Sequence, residues 1–262
     1  MRRSLRFLGG YLSANLQAAM EYRAGFWSQL VSMMLNDGLW MAFWWLYFRR
    51  YPVVHGWVVN DIIVLWAVAA GGFGLAAGVF GKAPRLARVI TTGSLDSYLT
   101  LPKNVLLHVL VSATDASAWG DLAFGLVAFC VLIHPALFDL FLFLGLVVLI
   151  AVIFTAFLVL LGSLAFWLGN SEGLAQQLMG ALISFSTYPT PVFHGAVKLL
   201  LFTLIPAGFI SYFPVELLRD FRWPLFGGLV VFAIGMAGLA WFVFYRGLRR
   251  YESGNRLGAQ AL

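Results

Sequence analysis

Residues 138–168 are almost entirely Leu, Val, Ile and Phe. At about 1.5 Å per residue a helix over this stretch is more than about 45 Å long, against a hydrocarbon layer of about 30 Å. Such a helix tilts or projects from the bilayer. Water is the wrong solvent for this chain. It is 61% hydrophobic and 11% charged, whereas soluble domains carry about 25% charged residues. A polar surface cannot be assembled from that supply. The mean hydropathy of +0.88 agrees, and the chain reads as an all-α polytopic membrane protein.

Further apolar stretches fit transmembrane helices. The first, 26–48, ends in Trp44, Trp45, Tyr47 and Phe48, aromatics suited to a membrane–water interface. Arg49, Arg50, Tyr51 and Pro52 stop it. The second, 59–80, is rich in Gly and Ala, including Gly71, Gly72, Gly74 and Gly78. Small residues at such spacing let helices approach closely. The third lies within 105–133 and closes at His134-Pro135, but Asp115 and Asp121 make its start ambiguous. The fourth is 138–168, the fifth 174–192 and the sixth 225–245. Between the last two, residues 196–214 are apolar but broken by Pro206 and closed by Pro214, the pattern of a re-entrant segment.

Before the first span, Leu5, Leu8, Leu12, Leu16 and Ala19 recur at helical spacing. With Arg2, Arg3 and Arg6, residues 3–22 read as an amphipathic helix on the cytoplasmic membrane surface. The basic start resembles that of a secretory leader, but Asn15, Gln17, Glu21 and Arg23 interrupt the apolar run a leader needs.

The choice between six spans and seven rests on basic residues. Six spans with both termini inside put Arg2, Arg3, Arg6, Arg23, Lys82, Arg85, Arg88, Lys103, Arg246, Arg249, Arg250 and Arg256 in the cytoplasm. Arg49, Arg50, Lys198, Arg219 and Arg222 fall outside. Seven spans would even out that asymmetry, so six satisfy the positive-inside rule better. The net charge of +6 is therefore loop charge, not a nucleic-acid surface.

No catalytic apparatus is visible. Gly81-Lys82 is followed by Ala83, so a P-loop's magnesium-binding hydroxyl is missing. His55, His108, His134 and His194 are scattered, and Cys130 stands alone, so no metal site is expected. The acids inside apolar segments need an account, because a central Asp costs about 2.5–3.5 kcal/mol on insertion scales. Asp37 lies mid-span beside Asn36 and is expected to bond across helices. His108, Ser112 and Asp115 share a helical face, either as a proton relay or as the wetted cytoplasmic end of a long helix. The relay would make the chain a proton-coupled secondary transporter or channel.

The longest polar stretch, 82–103, contains Thr92-Gly93-Ser94-Leu95-Asp96-Ser97-Tyr98-Leu99-Thr100-Leu101-Pro102. Ser94 is a candidate helix cap and Asp96 a first-turn acid that favours the dipole. Leu95, Tyr98 and Leu99 would form one apolar face, and Pro102 stops the helix. Such a helix docks a soluble partner or rests on lipid headgroups.

In these segments the sequence resembles the membrane subunit of bacterial type-2 ABC transporters. The family's Gly-x-Leu-Asp-x-x-Leu-x-x-Pro loop falls on Gly93, Leu95, Asp96, Leu99 and Pro102. Its Gly-Asp with a following Gly falls on Gly120, Asp121 and Gly125. Its Tyr-Pro, Ile-Pro, aromatic and Pro series falls on Tyr188-Pro189, Ile205-Pro206, Phe209 and Pro214.

The resemblance implies a permease subunit in the bacterial inner membrane, without a cofactor of its own. Two copies of a separate ATPase carry the ATP and magnesium, and a second permease, identical or homologous, completes the pore. Arg85, Gly93, Leu95, Asp96, Tyr98, Leu99 and Pro102 would couple to the ATPase. Export of an amphipathic or hydrophobic substrate is implied. Asn36, Phe43, Phe73, Phe185 and Tyr188 are candidates for its path, because aromatic and weakly polar groups suit such cargo. Pro206, Phe209 and Tyr212 are candidates for an external gate.

Overall fold

The computed structural model describes residues 2–102, 104–189 and 193–252, without the side chains of 2–5, Ala196 and Lys198. Expectations resting on Lys103, Arg256 and the side chains of Arg2, Arg3 and Lys198 lie outside that description. Among the described residues all regular structure is helical, apart from one isolated bridge between Val54 and Trp57.

Helix α1 (Arg2–Glu21) is the amphipathic N-terminal helix, followed by α2 (Arg23–Arg50) and α3 (Val59–Val79). A short 3-10 turn (Ala83–Arg85) leads into α4 (Leu86–Thr91), α5 (Asp96–Leu99) and α6 (Val105–Val111). Helix α7 (Ala118–Ala128) widens into a π turn over Phe129–Ile133. It stops where His134 turns left-handed, at φ 53°, before Pro135. Then come α8 (Leu137–Ser163), α9 (Ala165–Leu168), α10 (Glu172–Ser186), α11 (Gly195–Thr203), α12 (Ala207–Arg219) and α13 (Trp223–Leu248).

Among the described residues, three helical stretches are long and apolar enough, by length and composition, to cross a membrane: Val59–Val79, Leu137–Leu168 and Trp223–Leu248. Ala118–Ile133 is a shorter apolar helix. The expected third span therefore does not run unbroken from 105. Residues 112–117 interrupt it, and Asp115 accepts the Ser117 amide at 3.1 Å and its hydroxyl at 2.8 Å. That carboxylate closes a local turn just ahead of the next helix. It is not a rung on the face of His108 and Ser112.

Helices α3, α7 and α8 form the centre. A Cβ on Gly125 would fall 2.9 Å from the Gly71 nitrogen of α3, and one on Gly120 would fall 2.9 Å from Met33 Cβ of α2. Bare glycine surfaces let three backbones meet, and in lipid that close packing supplies much of the helix association. Phe129 stacks on Phe143 at 4.1 Å between ring centres, joining the π turn to α8.

The helix ends segregate. At one end, Arg219 reaches Asp61 at the start of α3, and Phe138 meets Phe221 edge-on at 5.5 Å. At the other, the Gly81 amide donates to the Ala113 carbonyl at 3.1 Å and Arg88 pairs with Glu172 at 2.7 Å. A separate apolar core lies at this second end, joining the 83–110 segment to α8, α9 and α13.

Candidate functional site

The loop between α3 and α6 is anchored from beneath. Gly93 takes φ 71°, a left-handed conformation that a side chain would strain. This turn drives Leu95 inward, where it is fully buried with Leu86, Val109 and Phe244. The expected apolar face of Leu95, Tyr98 and Leu99 is therefore divided. Leu95 faces the core because the turn at Gly93 folds the segment back, and its amide donates to the Val89 carbonyl at 3.2 Å. Tyr98 is half-buried and donates its hydroxyl to Ser112 at 3.0 Å. Leu99, Leu101 and Pro102 are exposed, as is Arg85. Asp96 occupies the first turn of α5 as expected. Ser94 does not cap it: its hydroxyl meets that of Thr92 at 2.9 Å. Leu95 and Tyr98 thus fix the element, and Leu99, Leu101 and Pro102 form its outward edge.

The N-terminal helix is tied to the same region. Tyr11 hydrogen-bonds His108, Phe7 packs edge-on against that imidazole at 5.4 Å, and Asn15 Nδ2 donates to the Val111 carbonyl at 2.8 Å. His108 thus joins an aromatic cluster with Tyr11 and Tyr98. With Asp115 turned to Ser117, no relay from His108 through Ser112 to Asp115 is assembled.

A cavity of about 310 Å³ lies between α2, α3, α7, α8 and α10. Asn36, Trp40 and Tyr188 stand exposed at its mouth. Trp66 and Phe154 are buried lining residues, and Phe73 is half-buried there. Trp40 stacks on Trp66 at 6.1 Å, and Trp44 holds Tyr188 edge-on at 5.5 Å. Three of the five substrate-path candidates, Asn36, Phe73 and Tyr188, meet in this cavity. Phe43 does not line it: half exposed on α2, it packs against Trp40 and Trp44. Phe185 turns to Phe193 at 5.3 Å.

Two acids line the same cavity. Asp37, midway along α2, and Asp121, in the first turn of α7, are each 3% exposed. The two carboxyl groups, one from α2 and one from α7, are close neighbours facing the same cavity. Asp37 Oδ2 and Asp121 Oδ2 are buried with no donor reaching either. Among the described residues no ion pair includes either acid, and the cavity lining contains no Lys, Arg or His.

At the C-terminal end of α12 the arrangement is different. Asp61 is buried, and Arg219 grips both of its oxygens, with Nε to Oδ1 at 2.6 Å. Asp61 Oδ2 also accepts the Val58 amide at 2.7 Å, and Arg219 donates to the Gly56 carbonyl at 3.2 Å. Donation to Asp61 holds the Arg219 guanidinium above its ordinary range. Glu216 joins Arg219 at 3.1 Å and Arg222 at 3.4 Å.

The gate candidates lie along the same helix, toward the end away from the brace, and do not line the cavity. Pro206 is buried, and Phe209 stacks on Phe232 of α13 at 3.5 Å and on Phe213 at 4.9 Å. Tyr212 meets Phe202 edge-on. Sequence reasoning did not find Trp40 and Trp66 or the Asp61–Arg219 pair. Only the apolar setting of Asp37 and Asp121 signalled their partnership, since two carboxyls stranded in lipid-crossing segments must find polar company.

Comparison with curated proteins finds no match, and neither does comparison with solved structures. A family model described as ABC-2 family transporter protein matches residues 34–255, taking in the loop, the cavity and the Asp61–Arg219 brace. The chain is a membrane protein of the ABC-2 transporter family.

Proposed function

We propose that the chain is the permease subunit of an ATP-driven exporter for an amphipathic or hydrophobic substrate. In this reading it crosses the inner membrane six times, with both termini in the cytoplasm. It pairs with an identical or homologous permease and seats two copies of a soluble ATPase. The single observation that carries the reading is the two-sided build of the 83–102 segment. Leu95 is buried as an anchor, while Leu99, Leu101 and Pro102 are held out at the end of the molecule carrying Arg85 and Arg88. An apolar edge flanked by arginines suits a cleft on a soluble protein.

Alternating access follows from that coupling. ATP draws two ATPase subunits together, and their motion shifts α5. Because Leu95 packs with Phe244 of α13 and Leu86 lies against α8, the shift reaches the helices around the cavity. The substrate enters past Asn36, Trp40 and Tyr188 and leaves when the outer end opens. The α11–α12 region, with Pro206, Phe209 and Tyr212, forms the external gate as a packed aromatic plug.

Leu99→Arg leaves the buried anchor untouched and inserts a charge on the docking edge. It is expected to abolish copurification of the ATPase in mild detergent while the chain still reaches the membrane. Asp96→Arg is expected to do the same. Unchanged ATPase recovery with both variants would refute the docking assignment.

A further inference from the structure

We propose that the Asp37–Asp121 pair is a recognition site for the positive head of an organic monocation whose apolar body lies against Trp40, Trp66 and Phe73. This inference rests on the permease reading and narrows its substrate class.

The two carboxyls lie in a cavity walled by aromatic rings, open at Asn36, Trp40 and Tyr188, and free of any basic side chain. A polar contact between α2 and α7 alone would need no acid. Asparagines would serve without carrying charge into an apolar cavity, where an unbalanced carboxylate is costly. Asp121 lies in the first turn of α7, where the helix dipole favours negative charge. No described residue of the lining supplies a full opposite charge, so a cation from outside completes the site.

A second observation points to a ligand. Trp66 is 7% exposed, lines the same cavity, and its Nε1–H has no acceptor. A buried indole N–H normally finds a partner. A substrate carrying an acceptor atom beside its cationic centre would supply one. The exposed face of Trp40 adds attraction for a cation through its ring quadrupole. The acids set charge, the rings set an apolar and aromatic body, and the open mouth lets that body project.

The test uses the full chain purified in detergent, with tetraphenylphosphonium and tetraphenylborate as probes of matched shape and opposite charge. Binding is read from tryptophan fluorescence. Wild type is expected to bind the phosphonium and to take up the borate at least about tenfold more weakly. Asp37→Asn and Asp121→Asn are each expected to weaken phosphonium binding about tenfold or more and to leave borate uptake undiminished or stronger. Equal affinity of wild type for both ions overturns the proposal, as does phosphonium binding that survives in the double Asn variant. If an Asn variant fails to fold, the discrimination by wild type carries the test. ATPase copurification separates the two readings. An ATPase partner without charge discrimination overturns the site alone. Discrimination in a chain that recruits no ATPase overturns the permease reading and leaves the site standing.

Discussion

Two buried acids lie in the same bundle with opposite surroundings. Asp61 has a bidentate arginine, a backbone amide and a place in the first turn of α3. Asp37 has another acid and an open cavity. Both are almost fully removed from solvent. A carboxylate matched by a guanidinium fixes geometry, and removing one partner leaves a stranded charge. A carboxyl pair with no cation holds its helices together weakly and leaves electrostatic demand unmet. The difference separates a brace from a receptor. The Asp61–Arg219 pair locks α12 to α3, and the Asp37–Asp121 pair waits for something to enter.

That contrast fixes the sign and size of substitutions. The largest effect falls on the brace. Arg219→Met is expected to cost about 2–3 kcal/mol, below the about 3–5 of a fully buried pair because the guanidinium is partly exposed. Thermal unfolding in detergent measures it. Adding Asp61→Asn is expected to recover more than half, which a double-mutant cycle resolves. If Arg219→Met alone changes nothing, the brace is not structural.

A neutral, partly buried contact should fall between the extremes. Tyr11→Phe removes the bond to His108 and is expected to loosen α1 by about 1 kcal/mol. Hydrogen exchange or limited proteolysis of residues 6–21 reads this locally. The acid pair should behave unlike the brace. Asp37→Asn and Asp121→Asn are each expected to shift stability by less than about 1 kcal/mol, with no change or a small gain, because they remove a buried charge. A loss as large as that of Arg219→Met would make the pair structural. The smallest effect belongs to Arg88→Ala. Its pair with Glu172 is solvent-exposed, so no resolvable change in melting temperature is expected at physiological salt.

Much of the fold was legible because lipid imposes simple rules. The apolar runs at 59–80, 138–168 and 225–245 became long helices with nearly those limits. His134-Pro135 ended a helix as expected. What sequence could not give was the inward or outward sense of a short helix. Leu95 and Leu99 are both leucines one turn apart, and only the fold-back at Gly93 decides that the first is buried. The break at 112–117 was hidden because Asp115 fits an unbroken helical face as well as it fits a local turn. The Asp61–Arg219 brace joins residues 158 positions apart and leaves no local trace. The cavity was half legible: aromatic residues were obvious, but which of them converge depends on glycine contacts between α2, α3 and α7.

The whole account requires the anchored loop and the arginine brace to face opposite aqueous compartments. Single cysteines answer this directly, with Cys130 replaced by Ser. Leu99→Cys probes the loop edge and Asp220→Cys the exposed end beside the brace. A membrane-impermeant thiol reagent is expected to label Asp220→Cys in intact cells, and Leu99→Cys only in inverted vesicles. Labelling of both positions from the same side would contradict the account.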